Sequence, residues 1–302
     1  MSSQSTLRAI FIALAGFTCW VIGDSFLKLA GELLHAKYQV MLLGGFGGML
    51  SIGGMAAVRG KLSTLRVHKP KTLALLGFLF LANYGVWLTA LSRLPLANFY
   101  AVIFLAPTTA SLFAAWILKE QLTIPKLLAT IAGFIGVVIA VDPTNTLSER
   151  QNWVGYGIAF IGMFVAVAQM LVLRIVGTKE TREATAFYPR FAAIGTALIC
   201  IILFGWEPMS AQAIIFSLLT GAIGGIGWMF IAQAYQLAPA ATVAPFMYSE
   251  IISGGLIGYF VWHDVPSMHL LMGAAIIIAS GFYIMTHAAR AERRAKIIVD
   301  TP

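Results

Sequence analysis

The sequence predicts an all-α integral membrane protein with ten transmembrane helices, arranged as two inverted five-helix repeats. Of its 302 residues, 59% are hydrophobic and only 11% are charged, whereas soluble domains carry about 25% charged residues. The hydrophobic residues form runs of about twenty, the length of a membrane-spanning helix, and not the alternating strands of about ten residues that build a membrane β-barrel. The pattern of runs and breaks in the first half of the chain also recurs in the second half.

The recurrence is clearest in the stretch 91–120, which matches the stretch 235–264. A shift of 144 residues aligns the two without a gap and places Pro95 on Pro239. Each copy contains an apolar span, a short break with one proline, a second apolar span, and an acidic residue after a Lys or His. Apolar segments that repeat at a long fixed period are typical of secondary transporters.

Ten hydrophobic spans follow one another along the chain. The links before Pro95 and Pro239 are so short that the helices they join must be antiparallel neighbours. The predicted spans are residues 7–29, 38–58, 71–91, 96–118, 123–141, 153–176, 187–205, 212–236, 240–262 and 266–287.

A polar stretch at 142–152 separates the two predicted repeats, because Pro143 and Asn145 prevent a helix from continuing. The domains expected from this division are a first five-helix repeat at 1–142, a second at 153–287, and a basic cytoplasmic tail at 288–302.

The positive charges predict how the chain is oriented. With the N-terminus in the cytoplasm, sixteen of the 20 Lys and Arg residues fall on the cytoplasmic side and three on the other, with Lys28 inside the first span. By the positive-inside rule, both termini are therefore expected to be cytoplasmic. Since each repeat holds an odd number of spans, the second must enter the membrane from the opposite side, which makes the repeats inverted.

The motif Leu94-Pro95-Leu96-Ala97, followed by an apolar helix and Lys119-Glu120, has an echo in the second half. The echo is Ala238-Pro239-Ala240-Ala241, ending in His263-Asp264. Over about residues 8–287, this pattern resembles the EamA-type branch of the drug/metabolite transporter superfamily. The second copy differs by carrying Pro245 and Glu250 where the first has Ala101 and Ala106.

The resemblance implies a secondary transporter of the bacterial inner membrane that works by alternating access through a central cavity. It implies export of small neutral, amphipathic or aromatic metabolites, amino acids among them. The partners expected from it are a small-molecule substrate and the lipid bilayer, without a cofactor, and a monomer is the expected functional unit. A nucleic acid is not an expected partner, because the basic residues are spread among loops without interleaved aromatics.

Substrate sites in such folds lie near the membrane midplane at the repeat interface, which directs attention to the middle of spans one, three, four, six, eight and nine. Glu250 lies about halfway along span nine, where a charge costs from about 2.5 kcal/mol upward. It is expected to face an aqueous cavity, to be protonated or to have a partner. One interpretation is a proton carrier in an antiporter of organic cations; the other is a structural carboxyl bonded to a neighbouring helix.

Asp24 and Lys28 lie four residues apart on the first span and hence on one helix face. They could form an internal ion pair that only positions the helix. Alternatively, they could bind the ammonium and carboxylate of an amino-acid substrate, since one acid and one base in the same wall suit a zwitterion.

Aromatic and amide side chains complete the predicted substrate site, because aromatic faces accept flat rings and organic cations and amides bond to neutral polar groups. Taken singly, each residue could equally pack in the core or face lipid. Tyr84 and Trp228 occupy equivalent positions of the repeat. Three tryptophans near span ends, at 153, 206 and 262, are instead predicted as interfacial anchors. The predicted aromatic and amide residues of the site are Trp20, Asn83, Tyr84, Trp87, Asn98, Tyr100, Gln169, Trp228 and Tyr248.

Two prolines within spans should bend their helices. Because Pro107 and Pro245 occupy non-equivalent positions, different bends are expected in the two halves.

Other classes of function fit less well. An enzyme is not expected: Asp24 and Glu250 are unlike in type as an aspartyl dyad, the histidines lie in loops or at span ends, and no metal-ligand spacing appears. A carrier of phosphorylated sugars would need Lys or Arg in the middle of spans three, four, eight and nine, where there is none. An ion channel would show a filter loop or a charged ring, and neither is visible in the sequence.

Overall fold

The computed structural model describes residues 3–117, 124–142, 150–176, 180–237, 244–280 and 282–283, and within them all regular structure is helical. Short 3₁₀ helices lie at Leu62–Leu65 and Ala244–Tyr248. The α-helices are α1 (Ser3–Leu33), α2 (Lys37–Val58), α3 (Pro70–Leu91), α4 (Leu96–Ile103), α5 (Ala106–Ile117), α6 (Ile124–Val141), α7 (Arg150–Val176), α8 (Arg182–Phe187), α9 (Pro189–Phe204), α10 (Ala211–Leu237), α11 (Ser249–Trp262) and α12 (Met268–Ser280). The expected tail at 288–302 lies outside the described residues.

Membrane insertion is supported by length, composition and the outward faces of the helices. In the described ranges, five segments are long and apolar enough to cross a bilayer: 7–33, 37–58, 70–91, 183–204 and 211–231. Shorter apolar helices lie at 131–140, 153–169 and 268–280. Large apolar side chains point outward, including Phe11, Leu50, Ile202 and Phe260. A surface of this kind is stable in lipid, and in water it would be an aggregating patch.

Several helix ends carry the local signals expected from the sequence. Pro70 and Pro189 begin α3 and α9, where the missing N–H costs nothing. The side chain of Thr181 caps α8 by accepting a hydrogen bond from the Ala184 N–H at 3.1 Å. Gly205 ends α9 with a φ of 87°, a conformation that glycine adopts without steric cost.

The fourth predicted span, 96–118, is not one helix. It divides into α4 and α5 at Phe104 and Leu105, and Pro107 falls in the first turn of α5, where proline is tolerated. The ninth span is divided as well, because Pro245 lies in the 3₁₀ segment that precedes α11.

The two interruptions occupy equivalent positions of the chain. Phe104 ends one helix, Tyr248 ends the 3₁₀ segment 144 residues later, and their rings pack edge to face with centroids 5.3 Å apart. The two breaks differ in kind, with an α-helical restart in one half and a 3₁₀-to-α transition in the other. The expectation of different bends stays a prediction.

The helices of the two halves interleave. Helix α1 packs along α10, α2 packs against α9 and α10, and α3 packs against α7 and α9, while α4 lies against α7 and α11. Each first-half helix with these contacts is thus held by partners from the second half. The main apolar core, which includes Leu91, Phe99, Met163 and Ile277, draws its residues from both halves.

Two glutamates tie the halves together at opposite ends of α2. At the start of α2, the Glu207 carboxylate accepts a hydrogen bond from the backbone N–H of Ala36 at 2.8 Å. Beyond its other end, the buried Glu180 carboxylate accepts hydrogen bonds from the backbone N–H groups of His68, at 2.8 Å, and Lys69. A charged acceptor on backbone N–H groups is a strong interaction when it is shielded from water.

Glycines permit the closest helix contacts. A Cβ atom added to Gly221 in α10 would overlap the carbonyl oxygen of Gly44 and lie 2.7 Å from the backbone N of Gly48, both in α2. Since backbone atoms cannot rotate away, the two helices would have to separate. Small residues at helix interfaces allow this approach in membranes.

The substitution Gly221→Ala should therefore destabilise the fold by about 1–3 kcal/mol, the usual cost of overpacking. The matched control is Gly224→Ala in the same helix, where an added Cβ meets nothing within 4 Å and stability should stay the same or rise slightly. Thermal unfolding of the purified variants in detergent, followed by tryptophan fluorescence, measures the difference. Equal melting temperatures for the two variants would contradict the close contact.

Candidate functional site

A buried carboxylate lies at the centre of the site. Asp24 of α1 is 8% exposed, and its Oδ2 accepts hydrogen bonds from the Tyr100 hydroxyl at 2.7 Å and the Trp87 indole N–H at 3.2 Å. These donors come from α4 and α3, so three helices converge on one charge. A carboxylate in a region of low dielectric needs such donors, because it is costly to bury without them.

Aromatic rings continue from this carboxylate in an unbroken series. The Trp87 and Phe99 rings meet edge to face at 4.7 Å, and Phe99 and Tyr100 do so at 5.5 Å. Tyr100 stacks with Phe104 at 5.9 Å, which leads to the contact with Tyr248 described above. Sequence reasoning included Tyr100 and Tyr248 but missed Phe104, which the helical spacing of four from Tyr100 would have placed on the same face.

Glu250 is also buried, at 8% exposure, and lies on the inward face of α11 together with Ile251, Gly254 and Gly258. One turn further on, Gly254 packs on Tyr100, whose Cδ2 would be 3.0 Å from an added Cβ. Glu250 therefore faces the protein interior.

Glu250 lies about halfway along the predicted span nine. It is the second residue of α11, because the preceding 3₁₀ segment, which contains Pro245, delays the start of the α-helix. In this first turn, a carboxylate is stabilised by the positive end of the helix dipole.

Lys28 does not pair with Asp24. Its Nζ lies 3.9 Å from Oδ2 of Asp264 and 3.3 Å from the carbonyl oxygen of Leu94, and it sits 4.4 Å from the centre of the Trp262 ring. The expected internal ion pair is absent because Tyr100 and Trp87 hold the Asp24 carboxylate, while the long lysine side chain reaches the end of α11.

Trp262, predicted as an interfacial anchor, instead contributes to this lysine site. Its ring lies against the Lys28 ammonium, and its indole N–H donates to Glu32 at 2.9 Å. The other two predicted anchors, Trp153 and Trp206, are exposed.

Amide side chains of the predicted site form two separate pairs with α7. Asn83 donates to the Gln169 side chain at 3.0 Å, and Asn98 donates to the Tyr156 hydroxyl at 2.6 Å. Asn98 therefore faces α7 and not the Asp24 carboxylate. Tyr156 was missed by the sequence analysis, since a tyrosine near the start of a long apolar span gives no signal for such a contact.

The remaining aromatic residues join α1, α2, α3 and α10. Trp20 and Trp228 lie with ring centroids 6.0 Å apart, and the Tyr84 hydroxyl donates to the carbonyl oxygen of Val40 at 3.2 Å. Trp20, Asp24 and Lys28 are spaced by four and so line one face of α1, each with a different partner.

Two polar atoms of the predicted site are buried without a hydrogen-bond partner among the described residues. They are the Trp228 indole nitrogen, which is a donor, and the Asn83 carbonyl oxygen, which is an acceptor. Buried polar atoms are nearly always paired, so these atoms are candidates for pairing with a ligand. The described part of the chain has no cluster of three or more His, Cys, Asp or Glu that could hold a metal ion.

Long apolar helices around a buried polar centre lined with aromatic rings are the features expected of a multi-pass membrane transporter of small molecules. Residues 7–141 match the model of the EamA-like transporter family. The resemblance found in the sequence is thereby confirmed over the first half of the chain. The chain is accordingly a transporter and not an enzyme.

Curated relatives are similar to the chain over most of its length. It is 24% identical over 275 residues, 90% of each protein, to the S-adenosylmethionine uptake transporter of Rickettsia conorii. It is 27% identical over 223 residues, 72% of this chain and 73% of the relative, to the riboflavin transporter of Vibrio cholerae.

A solved crystal structure superposes on the chain with a TM-score of 0.66 at 18% sequence identity, covering 94% of this chain and 99% of the other. At this identity, the likeness establishes the fold alone.

The hydrogen bond to Asp24 should be measurable as stability. Tyr100→Phe removes a bond to a carboxylate and should cost about 1.5–3 kcal/mol, whereas Tyr84→Phe removes a bond to a neutral carbonyl and should cost about 0.5–1.5 kcal/mol. Chemical denaturation of both variants in detergent tests the difference. A Tyr100→Phe variant no less stable than Tyr84→Phe would argue against a charged partner.

Proposed function

We propose that the protein is a secondary transporter of small amphipathic metabolites that carry a positive charge and a planar ring, amino-acid-type compounds among them, and that Asp24 binds the positive charge. The observation that carries this proposal is the Asp24 carboxylate, buried among aromatic rings. In the described part of the chain it forms no ion pair with a Lys, Arg or His. A cationic group on the substrate would supply the missing partner.

The surroundings of Asp24 support an organic cation over a hydrated metal ion. Its two hydrogen-bond donors, Trp87 and Tyr100, are aromatic, and Phe99 packs against both. Aromatic faces attract an ammonium or sulfonium group by about 0.5–2 kcal/mol each, most strongly where water is excluded. A small metal ion would favour several oxygen ligands instead.

A planar ring is supported by the tryptophan pair one helical turn away. Trp20 and Trp228 offer apolar faces, and the buried Trp228 indole nitrogen is a donor without a partner. A heteroaromatic ring with an acceptor at its edge would pair with this N–H, whereas a plain hydrocarbon would leave it unpaired at a cost of about 1–3 kcal/mol.

The names of the relatives support the planar ring of the proposed substrate, and one of them also supports its positive charge. S-adenosylmethionine carries a sulfonium cation, an amino-acid group and an adenine ring, and riboflavin carries a flavin ring. The shared feature is a heteroaromatic ring with polar edges. Their names also bear on direction: the sequence resemblance implies export, while the Rickettsia conorii relative is named for uptake. Transport measured in both directions decides between them.

Alternating access between two inverted five-helix repeats is the proposed mechanism. It is supported by the helix bounds, which recur at a spacing of about 144 residues, and by the equivalent breaks that meet at Phe104 and Tyr248. Interrupted helices at the centre of a membrane protein commonly form substrate sites. Both termini in the cytoplasm and a single chain as the functional unit complete the proposal.

Counterflow of labelled S-adenosylmethionine into proteoliposomes tests the substrate class and the site. Asp24→Asn should lower counterflow at least tenfold, because the amide keeps the shape of the side chain but not its charge. The control is Asp142→Asn. The Asp142 carboxylate pairs with His269 at 3.2 Å, away from the ring series. Counterflow by this variant should stay within twofold of that by the parent protein.

Competition by unlabelled compounds refines the result. S-adenosylhomocysteine, which lacks the sulfonium charge, should compete at least tenfold less well in the parent protein and equally well in Asp24→Asn. Normal counterflow by Asp24→Asn would remove Asp24 from the site. Competition only by uncharged or phosphorylated compounds would overturn the substrate class.

A second candidate function is proton-coupled antiport of organic cations, favoured by a second buried carboxylate, Glu250, on the face of α11 where Gly254 packs on Tyr100, the residue that donates to Asp24. Two interacting carboxylates can exchange a cation against a proton, because neutralising one makes charge on the other less costly. The sequence equally allows exchange or facilitated diffusion driven by the substrate gradient.

Glu250→Gln separates these mechanisms. If protons are exchanged, transport driven by a pH gradient should fall at least tenfold in this variant, while counterflow without a gradient persists. Glu183→Gln is a matched control, since Glu183 also lies in the first turn of a helix but in α8. The antiport hypothesis would be wrong if the pH gradient did not change transport by the parent protein. It would also be wrong if the gradient drove transport by Glu250→Gln as strongly as by the parent protein.

A further inference from the structure

Lys28 lies one turn after Asp24 on the same face of α1 and pairs with Asp264, an acid of the repeated motif that the proposed function leaves unused. We infer that Lys28 is the residue that binds the substrate's carboxylate, and that Asp264 occupies this position until the substrate displaces it. The inference rests on the proposed function and adds a second recognition point and a link to the end of the bundle.

The Lys28 ammonium is buried but weakly held. Its side chain is 9% exposed, yet its partners are a carbonyl oxygen at 3.3 Å, a carboxylate oxygen at 3.9 Å and the Trp262 ring. A strong charge-assisted hydrogen bond between an ammonium and a carboxylate has a length of about 2.7–2.9 Å. None of the three contacts reaches this length, so a buried cation retains the capacity to bind an anion closely.

Asp264 is weakly held as well. Its Oδ2, the atom nearest to Lys28, is buried and has no hydrogen-bond partner among the described residues. The residue follows the end of α11, where His263 adopts a left-handed conformation with a φ of 57°. A carboxylate that meets its cation only at 3.9 Å is poorly compensated for its desolvation, and a substrate carboxylate at hydrogen-bonding distance would replace it.

The spacing suits a substrate that carries both charges. Four residues of helix place Lys28 about 6 Å further along α1 than Asp24. A cation and a carboxylate joined by a few single bonds, as in amino acids and their sulfonium derivatives, can span such a distance. Asp24 would receive the cation and Lys28 the carboxylate, so Lys28 determines specificity for compounds that have both.

The exchange also acts on the end of the bundle. Lys28 holds together three elements there: α1, the turn between α3 and α4 through Leu94, and the end of α11 through Trp262 and Asp264. When a substrate carboxylate takes the place of Asp264, the ion pair between α1 and the end of α11 is lost. Binding thereby loosens this end, which the charge distribution predicts to be the non-cytoplasmic one.

The test compares two labelled or competing compounds that differ only in the carboxylate, S-adenosylmethionine and decarboxylated S-adenosylmethionine. In counterflow competition with the full-length protein, Asp264→Asn should tighten binding of S-adenosylmethionine about five- to tenfold, since the internal competitor is gone. Binding of the decarboxylated compound should change less than twofold. Asp142→Asn, which alters another carboxylate, should change the binding of neither compound.

Lys28→Gln provides an independent test should Asp264→Asn fail to fold, as judged by gel filtration. The parent protein should prefer the carboxylated compound at least fivefold, and Lys28→Gln should abolish this preference while still binding the decarboxylated compound. A Lys28→Gln variant that keeps the preference would overturn the inference, as would an Asp264→Asn variant that affects both compounds equally. In either case the proposed function stands if Asp24→Asn abolishes counterflow; a parent protein that binds neither compound overturns both.

Discussion

The buried carboxylate of Asp24 is the constraint on which the rest of the structure depends. A charge inside a hydrocarbon-embedded bundle must be given donors by the protein itself. Tyr100 and Trp87 provide them, and this requirement brings α1, α3 and α4 to one point. The ring series from Trp87 to Tyr248 then extends from the same point into α11 and the second half. One polar group thus helps to fix the mutual placement of helices whose other contacts are mostly apolar and therefore less directional.

The interrupted helices follow from the same logic. A break in a transmembrane helix frees backbone N–H and C=O groups, which lipid cannot satisfy, so breaks are tolerated only where protein surrounds them. The breaks after Phe104 and Tyr248 lie next to each other in the core, where the two rings are in contact. Because both are buried at this one contact, the inward face of α11 begins next to it, and Glu250 enters the centre in the first turn of that helix.

The sequence predicted the fold better than the site. Apolar runs and short breaks place the long helices and the inward position of Glu250, because hydrophobicity and the cost of a buried charge act locally along the chain. They could not predict that Lys28 would pair with Asp264 and not with Asp24. Helical spacing makes Asp24 and Lys28 neighbours, but Tyr100 and Trp87, remote in sequence, already hold Asp24. Pro107 and Pro245 each lie within a few residues of a break, as a proline within a span predicts, but the equivalent positions of the two breaks do not follow from the positions of the prolines.

Both ends of the bundle hold a carboxylate on backbone N–H groups, Glu207 at one and Glu180 at the other, but only the Glu207 end also has Lys28. At one end, the Glu180 carboxylate binds the backbone N–H groups of His68 and Lys69. A substrate offers no simple replacement for Glu180 there, because the donors belong to a loop beyond α2. At the other end, the Lys28 ammonium can be approached by an anion bound beside Asp24, one turn away. In the proposed alternating access, the Lys28 end is therefore the one that couples directly to a substrate at Asp24, and opening of the Glu180 end would depend on movement of whole helices.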